Sequence, residues 1–271
     1  MIKIGCNYLS FKGAEISVED FIQTCHNLSL DCVDFHQRAF ASHETDYLLG
    51  LKRQCLDLGL PVGYLGMGGG FAGDEEFQQS KIAEAKGAID MALVLGAPLV
   101  RVFGWSATDT QEREPLFAAL ARCLREVCEY GAERGVVVAL QNHNNRNLAA
   151  TGPDVLRIRD EVDHTNFSLV VDTGQWRGAH GAFGDMDPDV DIYAYIEQTL
   201  PFASYVRCKI YQIASGREEI LDYQRIGCLL RAVNYNGCIS IVYEGDDEED
   251  RPVSIAKAAA HLRTVFTEEA E

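Results

Sequence analysis

Four stretches of this chain end an apolar run on a chemically competent polar group. Residues 136–140 run into Gln141, Asn142 and His143. Residues 167–171 run into Asp172, then into the small-residue turn Thr173-Gly174. Residues 204–208 carry Arg207, followed by Lys209. Residues 238–243 run into Glu244. A charge at the end of an apolar strand costs free energy unless it is paired or solvated. Alternation along a strand puts Gln141, Asp172, Arg207 and Glu244 on one inner side, with His143 and Lys209 sharing those faces two positions further on. Two carboxylates, two cations, an amide and an imidazole brought together can bind a polyhydroxylated molecule, move a proton beside a carbonyl, or hold a metal ion. The spacing leaves these three open.

The elements that must position these groups alternate throughout. Strand patterns occupy residues 2–8, 32–37, 61–67, 98–103, 136–140, 167–172, 203–210 and 238–243. Between them, apolar residues recur at helical spacing, as in Val18, Phe21, Ile22, Cys25 and Leu28. Gly59 and Gly96 stand where helices should close, and Thr151-Gly152-Pro153-Asp154 has helix-start chemistry. Eight strand–helix units over 271 residues fit one (β/α)8 TIM barrel, with residues 1–271 as a single domain. Two doubly wound domains would need a break in the rhythm and a polar linker, and neither is present. In barrels the site lies at the carboxyl ends of the strands, where the polar residues fall.

Composition narrows the classes of partner. At 47% hydrophobic residues the chain can bury a full-sized core. A formal net charge of −17 opposes binding to nucleic acid or anionic membranes. The nine cysteines form no CxxC pair, are odd in number and sit mostly on apolar faces, which reads as reduced core residues of a cytoplasmic protein. The first residues form a strand rather than a signal peptide, and no apolar run is long enough to span a bilayer.

The chain resembles the xylose-isomerase-like barrel superfamily, in its sugar phosphate isomerase/epimerase branch. The resemblance rests on LGAPLVRVFG at 95–104, LQNHN at 140–144, VDTG at 171–174, VRCK at 206–209 and ISIVYEG at 239–245. It implies a small-molecule carbohydrate substrate, no nucleotide cofactor, and barrels that often pair as homodimers. Metal-dependent members place Glu, Asp, His and Glu on strands five to eight. The corresponding residues here are Gln141, Asp172, Arg207 and Glu244. Asp172 and Glu244 match, and Gln141 keeps a weakly ligating carbonyl. Arg207 has no lone pair to give and stays protonated. The favoured expectation is that Arg207 and Lys209 neutralise the two carboxylates in place of a divalent ion. An ion (manganese, zinc, magnesium or cobalt) held by Asp172, Glu244 and Gln141 is the alternative.

Gln141 cannot be a base, so the resemblance implies Glu244 as base, His143 or Lys209 as acid partner, and Arg207 as stabiliser of oxyanion charge. Lys209 beside Arg207 has the setting for a lowered pKa, which neighbouring carboxylates oppose. Arg101, Gln141, Trp176 and His36 join Arg207 as candidate substrate contacts. Each has a plainer reading. The ion pairs hold the barrel top together, His143 caps backbone groups, and His36 is a hydrogen-bonded core histidine. Arg101 faces either the interior or the helices. Trp176 and Phe71 stack on a sugar ring or pack a lid, and His180 is an exposed loop residue. The acidic run 246–250 follows Glu244 and favours a neutral sugar, polyol or keto-sugar over a sugar phosphate, unless Arg207, Lys209 and Arg177 dominate inside. The expected activity is isomerisation or epimerisation by proton transfer next to a carbonyl. A lyase or dehydratase using the same proton abstraction and a binding protein without a metal are the rivals. An abasic-site endonuclease is excluded by charge and by the scarcity of histidines at strand ends.

Overall fold

Buried residues run almost unbroken through the strands because both faces of a parallel strand are covered. The computed structural model describes residues 2–106, 112–144, 146–181, 186–245 and 249–267. Among these residues the strands are β1 (Lys3–Asn7), β2 (Val33–His36), β3 (Val62–Gly66), β4 (Leu99–Phe103), β5 (Val137–Gln141), β6 (Phe167–Asp172), β7 (Ala203–Ile210) and β8 (Cys238–Tyr243). The helices are α1 (Val18–Asn27), α2 (Thr45–Asp57), α3 (Glu75–Leu95), α4 (Arg113–Ala132), α5 (Gly152–Val162), α6 (Ile192–Thr199), α7 (Tyr223–Ala232) and α8 (Arg251–Thr267). Neighbouring strands pair in parallel, and β8 closes on β1 through Lys3↔Cys238 to Cys6↔Ile241. The molecule is a single closed (β/α)8 barrel, as the alternating pattern requires.

Punctuation residues act where the sequence places them. Asp74 caps α3 by accepting from Phe77 N at 2.9 Å, and Gly96 ends it at φ +80°. Thr151 caps α5 with Pro153 in the first turn. The element without a sequence expectation is α6, whose eight residues follow the long segment after β6.

The core has two parts. The larger lies between strands and helices and includes Val100, Val102, Val138, Leu140, Val206 and Ile239. The smaller, formed by Tyr64, Leu99, Ala139, Val170 and Tyr205, is the floor of the barrel interior. Each of Leu99, Ala139, Val170 and Tyr205 stands two positions before a polar residue: Arg101, Gln141, Asp172 and Arg207. Strand alternation therefore sets these four one layer above the floor. This decides the orientation of Arg101, which faces inward. Between β2 and β3 the register shifts from Val33↔Val62 to Phe35↔Leu65, one extra residue on β3.

Residues 68–74 are tied to the barrel: Phe71 N donates to Gly104 O at 3.1 Å, and the Phe71 ring is buried. In the acidic run, Asp246, Asp247 and Glu248 lie outside the described residues, while Glu249 pairs with Lys257. Among the described residues no helix is long and apolar enough to cross a membrane.

Candidate active site

Asp172 ends β6 with no exposed surface, so its oxygens must be satisfied internally. Gly174 N donates to Oδ1 at 3.1 Å and Gln141 Nε2 to Oδ2 at 3.0 Å. Asn142 fixes the strand end itself. Its Oδ1 accepts from Asp172 N at 2.7 Å, and its Nδ2 donates to Asp172 O and Gln175 O. On β7, Arg207 Nη1 donates to Gln141 Oε1 and stands 3.6 Å from Asp172 Oδ2. Gln141 thus bridges a guanidinium and a carboxylate. Burial pushes the Asp172 carboxyl above its usual range, against the pull of Lys209 and Arg207.

Lys209 points the same way one step higher on β7. Its ammonium donates to Glu244, just past the end of β8. Thr173 and Tyr223 hold the Lys209 backbone: Lys209 N donates to Thr173 Oγ1 at 3.0 Å, and Tyr223 OH donates to Lys209 O at 2.6 Å. Burial lowers the Lys209 pKa, more than Asp172 and Glu244 raise it. For Glu244, burial is overcome by Lys209, then Arg207 and His143, so its carboxyl stays below the usual range and ionised. Its side chain is 31% exposed. Glu244 is therefore the carboxylate of this set that reaches solvent.

Both histidines are neutral near pH 7. Burial, then Lys209, Arg207 and Arg101, bring His143 down to about 4. Burial, then Arg101, Arg38 and Arg207, bring His36 down to about 3. His36 Nδ1 accepts from Arg38 N at 3.2 Å, which supports the hydrogen-bonded reading while placing the ring near the interior cations. The Arg101 guanidinium stacks 4.2 Å from the Phe103 ring, which meets His143 edge-on at 5.2 Å.

Trp176 does not meet this site. It is fully buried against Tyr195 of α6, so it packs the segment after β6 and presents nothing to a ligand. Phe71 is likewise a packing residue. Arg177 is exposed and does not join the interior cations. His180 is exposed as expected, yet its ring lies 4.6 Å from Tyr211, and both line the recesses above Glu244. These measure about 540 Å³, with Leu9, Lys12 and Arg251 on the wall, and about 370 Å³, with Gln212 and Glu219. Another recess, about 560 Å³, lies at the opposite end of the barrel beside Arg231, Asn234 and Arg263, away from these groups.

A lower polar layer is one that strand ends do not announce. Tyr205 OH donates to Asp34 Oδ1 at 2.7 Å, and Asn7 Nδ2 donates to Tyr64 OH at 2.8 Å. Burial raises the Asp34 carboxyl to about 7. The available sequence signal is Asp34 itself, two positions before His36 in an apolar strand.

The donor set fits a divalent cation poorly. One oxygen each of Asp172 and Glu244 is occupied by Gln141 and Lys209, and a guanidinium holds the Gln141 oxygen. Among the described residues no group of three His, Cys, Asp or Glu side chains is arranged to hold a metal ion.

A family profile described as xylose isomerase-like TIM barrel matches residues 22–265. The chain belongs to that family. Among solved structures, D-psicose 3-epimerase with D-tagatose from Clostridium cellulolyticum H10 superposes with a TM-score of 0.80 at 16% identity, covering 98% of this chain and 99% of that one. The 3-keto-D-glucoside 4-epimerase from E. coli gives 0.74 at 19% identity, covering 97% and 100%. A probable 3-DHS dehydratase from Bacillus anthracis, involved in petrobactin synthesis, gives 0.74 at 18%, covering 99% and 100%. At these identities the likeness shows the fold alone. A search of curated sequences gives no significant match.

Proposed function

We propose that this xylose isomerase-like barrel is an isomerase- or epimerase-like enzyme that moves a proton next to a carbonyl of a small carbohydrate, without a divalent ion. The observation that carries the reading is the Lys209–Glu244 pair at the barrel mouth. It couples a solvent-reaching ionised carboxylate to a buried ammonium. Glu244 takes the proton from the carbon beside the carbonyl, and the released electron pair forms the carbon–carbon double bond of an enediol. Lys209 delivers a proton to the carbonyl oxygen. His143, held neutral, accepts or donates a hydrogen bond to a substrate hydroxyl rather than serving as the acid. Arg207 lies buried behind the pair, where its field favours the developing oxyanion.

The epimerase names among the structural neighbours support this class, and the dehydratase keeps elimination after the same proton abstraction as a variant outcome. A second reading has one observation in its favour. Gln141, Asp172 and Arg207 are closed on one another with almost no exposed surface, as in a binding protein whose ionic floor is structural. Deuterium exchange at the carbon beside the carbonyl, followed across a keto-sugar panel, separates the two. Exchange that falls by about 10²–10⁴ in Glu244→Gln supports proton transfer. Ligand-induced stabilisation with no exchange for any compound supports binding alone.

A further inference from the structure

Three cations reach the barrel interior, and two carboxylates stand beside two of them. Arg207 stands beside Asp172, and Lys209 is bound to Glu244. Arg101 is the third. It is 1% exposed, and among the described residues it forms no ion pair. Its Nη1 donates to Met67 O at 3.0 Å, its flat face lies on Phe103 and its guanidinium also meets the Tyr64 side chain; the negative charge that acts on it is Asp172, which already stands beside Arg207. Its Nε has no hydrogen-bond partner among the described residues, and neither has the Nε of Arg207. Burial draws the Arg101 pKa down to about 10, which still leaves it charged near pH 7.

A buried cation without an ion pair of its own is costly, and sites that recognise an anion have this form before the anion arrives. Asp34 in the layer below answers the excess only in part, because its proton is half retained near pH 7. The excess is thus at most a single positive charge. We infer that the site takes a carbohydrate bearing one carboxylate, a sugar acid, whose charge pairs with Arg101 inside the barrel. A phosphate dianion would overshoot the balance. A guanidinium also meets a carboxylate through two parallel hydrogen bonds. Half-buried Phe103 stacks on Arg101 and meets half-buried His143 edge-on. The described recess above Glu244 adds Lys12 and Arg251 to the cations on an anion's approach, with Glu244 itself on the same wall. On this inference the interior cations, rather than the acidic run, set the charge preference of the site. Arg101 takes the place that Arg177 was expected to share.

This inference deepens the proton-transfer reading, and its test reads binding rather than turnover. Isothermal titration of the full chain compares matched pairs, D-fructose with D-fructuronate and D-glucose with D-glucuronate, with D-fructose 6-phosphate alongside. The expected result is an acid bound at least about tenfold more tightly than its neutral partner and more tightly than the phosphate, an advantage lost in Arg101→Met. Neutral sugars bound as tightly as the acids, a preference for the phosphate, or no heat from either acid at low millimolar concentration overturns it. Should Arg101→Met fail to fold, Arg101→Gln replaces it, and the order of wild-type affinities decides by itself. Acid preference without deuterium exchange would leave this inference standing and remove the proton-transfer reading. Exchange without acid preference would do the reverse.

Discussion

Arg207 Nη1 stands 3.6 Å from Asp172 Oδ2, and the Gln141 amide fills the gap by donating to one and accepting from the other. Three side chains from β5, β6 and β7 thereby form one buried unit, in which the Nε of Arg207 is the polar group left without a partner. Replacing Gln141 with leucine leaves a carboxylate oxygen and a guanidinium N–H without partners. Unfolding in urea should show a loss of about 2–4 kcal/mol, since stranded buried groups cost more than an exposed bond returns. A loss under about 1 kcal/mol, on the order of a surface substitution, would mean that water enters and the unit is not closed.

The same unit bears on metal dependence. Exhaustive chelation should leave the melting temperature and ligand affinity unchanged, with manganese, zinc, magnesium and cobalt all far below stoichiometric in the purified protein. In the double variant Gln141→Glu with Arg207→His, a carboxylate and an imidazole replace the amide and the cation, and added manganese should raise the melting temperature. Stoichiometric metal in the wild type, with a drop in melting temperature on chelation, would remove the metal-free reading.

His143 predicts the sign of a pH effect. Unfolded, the ring takes its proton near 6.5, and in the folded barrel only near 4. Between those values the unfolded chain holds the additional proton, so stability present above 6.5 is lost as the pH falls toward 4. Asp34 works in the opposite direction, because its raised carboxyl favours the folded state in acid and that advantage fades as the pH rises toward 7. Comparing wild type with His143→Asn isolates the histidine. The unfolding free energy of the wild type relative to the variant should fall by up to about 3 kcal/mol between about pH 7 and pH 4. A constant difference would mean that the ring is not desolvated.

Lys209→Met tests the acid. Deuterium exchange should drop by about 10²–10⁴ while the fold survives, because the partner Glu244 reaches solvent and can be hydrated. Full turnover in this variant would eliminate Lys209 from the chemistry.

Trp176 separates packing from recognition. Trp176→Ala should cost about 3–5 kcal/mol of stability, as expected for a large buried ring. Trp176→Phe should keep ligand affinity unchanged. A selective loss of affinity in Trp176→Phe would bring the residue back to the site.

Much of this architecture is legible in the chain. Asp172 and Glu244 stand out because a carboxylate that closes an apolar run must be paired or solvated, and the carboxyl face of a barrel offers both. Arg101 is ambiguous from sequence because both faces of β4 are buried, so apolar neighbours at 100 and 102 look like those at 99 and 103. Its direction follows only from Leu99 lying on the barrel floor. Trp176 misleads because a residue on a segment between elements reads as exposed, whereas α6 folds over it. Helix α6 itself has only eight residues, too few for a periodic pattern to stand out. The Asp34–Tyr205 layer lies below the strand ends, and within a strand buried on both faces a single polar residue does not reveal its partner across the barrel.

On β3 the barrel leaves space where other strands supply side chains. A methyl group added at Gly66 would sit 2.6 Å from Arg101 Nη2, and one at Gly63 would sit 2.4 Å from both Asp34 Oδ1 and Tyr205 OH. The two positions differ in what can yield. The Arg101 head ends a long side chain and can yield by giving up its contacts with Met67 O and Phe103, whereas Asp34 and Tyr205 are locked to each other. Gly66 is therefore a tuning position: a change in the volume of one strand would shift the charge pattern of the cavity while every charged residue stays in the sequence. Relatives could diverge in ligand preference through this strand without altering a single ionisable group.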